Sequence, residues 1–70
     1  MIINRMKTNE LLALNFGGNY NKFAKTLKVD PSHLHRFLKT GVGGGRKLTG
    51  SLIKFCMENG LNFENYIDIN

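Results

Sequence analysis

The stretch NKFAKTLKVDPSHLHRFLK, residues 21–39, carries the strongest structural signals of this 70-residue sequence. Its apolar residues recur at helical spacing in two groups, separated by a few polar positions. The two groups are Phe23, Ala24 and Leu27, followed by Leu34, Phe37 and Leu38. We therefore predict two short helices, at about residues 20–27 and 31–39.

Capping residues favour the same two helices. Asn19 is a good N-cap for the first, and Asp30 caps the second, where Pro31 occupies a position whose missing N–H costs nothing. Ala24 is small enough to let the helices cross closely, while the larger apolar residues fill the angle between them. This skeleton predicts a helix-turn-helix whose second helix protrudes from the surface.

The rest of the sequence predicts three more short helices and no strand, because no apolar residues alternate with period two. They lie at about 8–16, with Thr8 as N-cap, at 49–59 and at 63–67. The glycine-rich stretch 40–47 is a loop. The expected architecture is all-α, a compact bundle of five short helices in a single domain, residues 1–70.

Composition indicates an ordinary soluble globule, with 41% hydrophobic and 21% charged residues. No apolar run approaches the roughly 20 residues that span a bilayer, and no secretory signal is visible, so we expect a cytoplasmic protein without a membrane partner. Cys56 is alone and lies in an apolar segment, which favours a buried, reduced thiol.

The formal net charge of +5 is unevenly distributed. Between Tyr20 and Lys47, seven basic residues are opposed only by Asp30, whereas the segment after residue 47 has three acidic residues and one basic one. One positive surface is therefore expected, and nucleic acid is the partner that suits it.

Several classes of chemistry are not supported by the residues present. We find no nucleophile–base pair, no paired carboxylates and little room for a substrate pocket, so we expect neither an enzyme nor a small-molecule substrate nor a cofactor. His33 and His35 are two residues apart, about 200° around a helix, and cannot share a metal ion. The glycine loop lacks the Gly-Lys-Ser/Thr ending of a phosphate-binding enzyme loop.

With these motifs the sequence resembles the Cro/phage-repressor family of helix-turn-helix proteins, over roughly Asn19 to Ile67. The later segment LIKFCMENGLNFENYI is similar to the family's fourth and fifth helices. The resemblance implies five helices and a repressor that binds operator DNA as a dimer. Three features differ from the family: Lys28 replaces the usual turn glycine, Tyr20 replaces a glutamine, and the glycine loop is longer. Lys28 would be strained if its position requires a positive φ.

The outward face of the second motif helix is polar and basic, which suits the major groove. Opposite its apolar residues lie Ser32, Arg36 and Lys39, with His33 and His35 on the flanks. The residues predicted to read bases are Ser32, His33, Arg36 and Lys39. The residues predicted to contact phosphates are Asn19, Tyr20, Lys22, His35, Gly43, Gly44, Arg46 and Lys47.

The sequence thus predicts sequence-specific binding of double-stranded DNA by a small repressor of phage or bacterial type. The alternative is a protein-binding module of the same fold, such as an antirepressor, an antitoxin or an inhibitor of a nucleic-acid enzyme. RNA fits less well, because its major groove is too narrow for a protruding helix. A homodimer is expected, since one recognition helix buries little surface. Its predicted contact residues are Phe63, Tyr66, Ile67 and Ile69.

Overall fold

Four α-helices and a two-stranded antiparallel ribbon make up the fold, seen in a computed structural model that describes residues 2–43 and 45–68. The elements are, in chain order, β1 (Ile2–Ile3), α1 (Arg5–Phe16), α2 (Tyr20–Leu27), α3 (Pro31–Thr40), α4 (Arg46–Glu58), a 3-10 turn (Phe63–Asn65) and β2 (Ile67–Asp68). The predicted dominance of helices is confirmed, whereas the ribbon and the 3-10 turn replace the predicted fifth helix.

Helix α1 begins earlier than expected, because Asn4 and not Thr8 is its N-cap. The Asn4 Oδ1 atom accepts a hydrogen bond from the Lys7 backbone N–H at 3.1 Å. Thr8 is buried one turn further on, and its hydroxyl donates to the Asn4 carbonyl at 2.8 Å. The prediction of Thr8 as a cap is therefore wrong, since its hydroxyl is used within the helix.

Helices α2 and α3 form as the capping residues predict. The Asn19 Oδ1 atom accepts from the Lys22 N–H at 3.1 Å, and the Asp30 Oδ1 atom accepts from the Ser32 N–H at 2.8 Å. The predicted bounds of α2 are confirmed, and α3 extends one residue beyond its predicted end. Three residues join the helices, and the first of them, Lys28, has a left-handed backbone with φ +61°.

Helix α4 begins at Arg46, three residues before the predicted start, with Gly45 as its N-cap. At its other end the Leu61 N–H donates to the Cys56 carbonyl at 2.8 Å and closes the last turn. The glycine loop is correspondingly shorter than predicted, because α3 runs to Thr40 and α4 begins at Arg46.

The ribbon pairs the two ends of the described chain. Ile3 is opposite Ile67 and Ile2 is opposite Asp68, and the Asn4 N–H donates to the Tyr66 carbonyl at 2.8 Å. The predicted helix at 63–67 is wrong for its last two residues for this reason. The expectation of no strand is also wrong, because two-residue strands have too few positions to produce a period-two pattern.

An aromatic cluster lies at the centre of the core. The ring of Phe23 stacks on that of Phe16 with centroids 4.7 Å apart and meets that of Phe55 edge-on at 6.2 Å. The buried apolar residues are Ile3, Leu11, Leu12, Phe23, Ala24, Leu27, Leu34, Phe37, Leu38, Leu48, Leu52, Phe55, Cys56 and Ile67. Met57, which follows the buried Cys56 on α4, is exposed. Because Leu34, Phe37 and Leu38 face this core, the opposite side of α3 faces solvent.

Candidate nucleic-acid interface

The exposed side of α3 carries the residues that the sequence assigns to base reading. Ser32, Arg36 and Lys39 are all exposed, while Leu34 on the opposite side is only 1% exposed. Asp30 and Pro31 fix the first turn of the helix and thereby the direction in which these side chains leave it. The result is a helix face of one short hydroxyl and two long cations, with nothing of the described chain covering it.

The two histidines flank this face and have different neighbours. On one flank, His35 meets the ring of Tyr20 edge-on, with centroids 4.6 Å apart and planes at 73°. On the other flank, His33 Nε2 is hydrogen-bonded to the carbonyl oxygen of Gly43. His33 therefore contacts the glycine loop, a contact that its position on the helical wheel did not indicate.

An open groove of about 290 Å³ lies between the N-terminal ends of α2 and α3. It is lined by Tyr20, Asn21, Pro31, Ser32 and His35. The fold thus brings two predicted phosphate contacts, Tyr20 and His35, next to the predicted base contact Ser32.

Next to this groove, Asn19 and Lys22 occupy the start of α2. The Asn19 side chain is already engaged as the cap of α2, whereas the Lys22 side chain is exposed beside it. Of these two predicted phosphate contacts, Lys22 offers an exposed positive charge, whereas Asn19 stabilises the first turn of α2 as its N-cap.

On the other side of α3, the glycine loop leads directly into α4. Gly43, Arg46 and Lys47 are exposed, and the two cations occupy the first turn of α4. Within the described part of the chain, no side chain caps that turn. Gly44, also predicted to contact phosphate, lies outside the described residues.

Arg5 is a cation of this region that the sequence reasoning missed. Its guanidinium carbon lies 3.3 Å from the point where a Cβ atom on Gly41 would be, so it rests against the start of the glycine loop. The Asn9 side-chain amide holds α1 in place there by donating to the Leu38 carbonyl at 3.3 Å. No local pattern marks Arg5, because it is 36 residues away from Gly41 in sequence and only the packing of α1 on α3 brings them together.

The cations near α3 are not neutralised by neighbouring carboxylates. Among residues 2–43 and 45–68, the one ion pair joins Lys7 to Glu10 on α1, at 3.7 Å. Arg5, Arg36 and Arg46 therefore keep their charge available to an anionic partner.

The predicted dimer contacts are only partly accessible. Ile67 is 1% exposed and faces the core from β2, so it is not available to a second copy of the chain. Phe63 and Tyr66 are half-buried against the core, and Ile69 lies outside the described residues.

Large apolar side chains are instead exposed on β1 and α1. Ile2, Met6 and Leu14 are 63%, 69% and 84% exposed. Leu14 and the half-buried Tyr66 line the same shallow surface pocket, so this region adjoins the end of the chain that the sequence assigned to the dimer.

Among the described residues, no three His, Cys, Asp or Glu side chains lie close enough together to hold a metal ion. Cys56 is fully buried in α4, and burial raises the pKa of its thiol above the ordinary value. No helix in the described ranges is both long enough and apolar enough to cross a bilayer.

Comparison with known proteins returns nothing: no protein-family model, no curated protein and no solved structure matches this chain. The function is therefore inferred from the residues of the chain and their placement.

Proposed function

We propose that this protein binds double-stranded DNA sequence-specifically, with α3 in the major groove, as a small transcriptional repressor of the Cro/phage-repressor kind. The observation that carries the proposal is the exposed face of α3, where Ser32, Arg36 and Lys39 project from a helix whose other face is buried. An isolated helix face of this composition fits the width of the B-DNA major groove and the acceptors on its base edges.

The joint between α2 and α3 supports a helix-turn-helix reading. Ala24 is completely buried, and its carbonyl accepts from the Val29 N–H at 3.0 Å across the turn. Leu27 and Leu34 fill the angle between the helices. A small residue at the crossing and large ones in the angle set the second helix so that one of its faces packs on the core and the other projects into solvent, which is the geometry that groove insertion requires.

Arg36 is the residue to which we assign most of the sequence discrimination. It lies in the middle of the exposed face, where a guanidinium can donate two hydrogen bonds to O6 and N7 of a guanine. A bidentate contact of this kind discriminates against the wrong base by about 1–3 kcal/mol. Ser32, in the first turn, and Lys39, in the last, extend the reading to neighbouring base pairs.

Phosphate contacts are assigned to both sides of α3. On the α2 side are Tyr20, Lys22 and His35, around the groove described above. On the loop side are Arg46 and Lys47, in a first turn whose backbone amides attract anions. Two groups of phosphate contacts that flank one recognition helix would fix its depth and register in the groove.

Titration of a labelled mixed-sequence duplex with the protein at several salt concentrations tests whether the protein binds DNA at all. Binding should weaken between about 50 and 200 mM salt, with a slope in log K against log salt of about −0.9 per phosphate contacted. Selection from a random library should then yield a defined site. If the protein binds no duplex at low salt, the DNA proposal fails. The alternative function, binding of a protein partner by the same fold, would then be tested.

We also propose that the protein binds its site as a homodimer, since half-sites about one helical turn apart would double the contacts of a small domain. The exposed side chains of Ile2, Met6 and Leu14 offer the apolar surface for this contact. Sedimentation on a palindromic site should show two copies bound, and Leu14→Asp should reduce this to one while the protein stays folded. Monomer alone on such a site would exclude the dimer.

A further inference from the structure

We propose that His33 is a positioning residue, whose Nε2–H holds the glycine loop against α3 and is therefore not available to donate to a phosphate or a guanine. The inference rests on the proposed DNA binding, because the loop it positions carries part of the assigned phosphate contact. The starting observation is the hydrogen bond between His33 Nε2 and the Gly43 carbonyl oxygen, which joins the first turn of α3 to the loop beyond its end.

The chemistry of the acceptor fixes which ring nitrogen carries the proton. A carbonyl oxygen only accepts hydrogen bonds, so the Nε2 atom must be the donor. In the neutral ring, Nδ1 then has a lone pair and no hydrogen. Phosphate oxygens and the guanine O6 and N7 atoms are acceptors as well, so the neutral His33 ring has no donor left for any of them.

Gly43 is shaped to receive this histidine. A Cβ atom at position 43 would lie 2.8 Å from His33 Nε2, and the backbone there has φ +92°, a conformation that other residues rarely adopt. The same Gly43 carbonyl also accepts from the Gly45 N–H at 2.9 Å, which folds the loop back on itself. One carbonyl thus receives two donors and fixes both the loop and its distance from α3.

The contact between His33 and Gly43 thereby sets the position of the loop-side cations relative to the base-reading face of α3. Gly45 is the N-cap of α4, so the position of the loop determines where Arg46 and Lys47 stand relative to α3. The Arg36 guanidinium lies on the same side, with Nη2 3.7 Å from the Cβ position of Gly43. Without the His33 contact, the loop-side cations lose their fixed register with the base-reading face.

Loop order in the free protein is the first test, and it needs no DNA. We expect the ¹H–¹⁵N heteronuclear NOE of the Gly43 and Gly45 amides to match that of α3 in the wild type and to drop in His33→Ala. His33→Gln should restore it, because its side-chain amide can donate from nearly the position of Nε2, whereas the shorter His33→Asn should not. Equal order in the wild type and in His33→Ala would overturn the proposal.

DNA affinity on a selected site and its single-base variants is the second test. Losing one hydrogen bond should weaken binding about three- to tenfold on all of these duplexes alike, for His33→Ala and for Gly43→Ala. Gly45→Ala is the matched control, since a Cβ there meets nothing within 4 Å, and it should leave the His33 contact intact. A loss confined to one base pair would identify His33 as a base reader and overturn the proposal. If the wild type binds no DNA at all, the proposed function fails, while the loop measurement still decides the role of His33.

Discussion

The backbone N–H of Val29 donates to the carbonyl oxygen of Ala24 at 3.0 Å, across a turn in which Lys28 has a left-handed backbone. Among the described residues, Lys28 is the one position other than glycine with a positive φ. The turn that sets α3 against α2 is therefore closed by a strained residue, and the strain can be measured.

Lys28→Gly should stabilise the domain by about 0.5–1 kcal/mol, because it removes left-handed strain of about 1–2 kcal/mol and adds some chain entropy to the unfolded state. Urea unfolding with unchanged m-value measures the difference. Lys25→Gly removes the same charge from a helical position of α2 and should destabilise by about 1 kcal/mol. If both variants lose stability equally, Lys28 is not strained.

Arg36→Ala and Lys47→Ala should weaken DNA binding in different ways. Loss of the Arg36 guanidinium should relax preference at one base pair, by about 1–3 kcal/mol. Loss of the Lys47 charge should weaken binding to every sequence and reduce the salt slope by about one unit. Affinities for a selected site and its single-base variants measure both effects. A uniform loss for Arg36→Ala would place that residue on the backbone of the DNA.

Arg5→Ala should weaken binding to all DNA sequences, because the Arg5 guanidinium rests against Gly41, beside the proposed phosphate contacts Arg46 and Lys47. The salt slope should become shallower by about 0.9, the value of one phosphate contact. Lys7→Ala is the control on the same helix, since Lys7 lies beside Glu10 at 3.7 Å, and it should change neither quantity. Equal behaviour of the two variants would remove Arg5 from the interface.

The Cys56 thiol should react with a disulfide reagent only as fast as the domain opens, because the side chain is fully buried and burial raises its pKa. The raised pKa means that the unfolded chain loses the thiol proton first as the pH rises. Stability should therefore fall above the ordinary thiol pKa of 9.0, and Cys56→Ala should remove that part of the pH dependence. Rapid labelling of the native protein would contradict burial.

The parts of the fold that the sequence predicted are those determined by residues close together in the chain. Asn19 and Asp30 cap α2 and α3 through neighbours two or three positions away, and these two helices have the predicted starts. Asn4 was missed as the cap of α1 because Thr8, a residue of the same capping class, stands nearer to the apolar stretch. The pairing of Ile3 with Ile67 joins residues 64 positions apart in the sequence and leaves no local signal.

In the candidate site, too, the features set by residues close together in the sequence were predicted, and those set by distant residues were not. The exposed positions of Ser32, Arg36 and Lys39 follow from helical periodicity and were predicted. The contact of His33 with Gly43 was not, because it joins residues ten positions apart and no periodic pattern of the sequence indicates the path of the glycine loop. Arg5 was missed for a similar reason, since it lies outside the basic segment of the sequence and reaches the glycine loop only through the packing of α1 on α3.

The β1–β2 ribbon places residue 2 beside residue 68. Because residues 2 and 68 are neighbours, a short linker could join them while the chain is reopened elsewhere, or the segment between them could be inserted into a surface loop of a host protein. In such a chimera both connections would leave from the ribbon, and α3 would keep its free face. The domain is thus suited to grafting onto another protein, with the exposed face of α3 still presented to solvent.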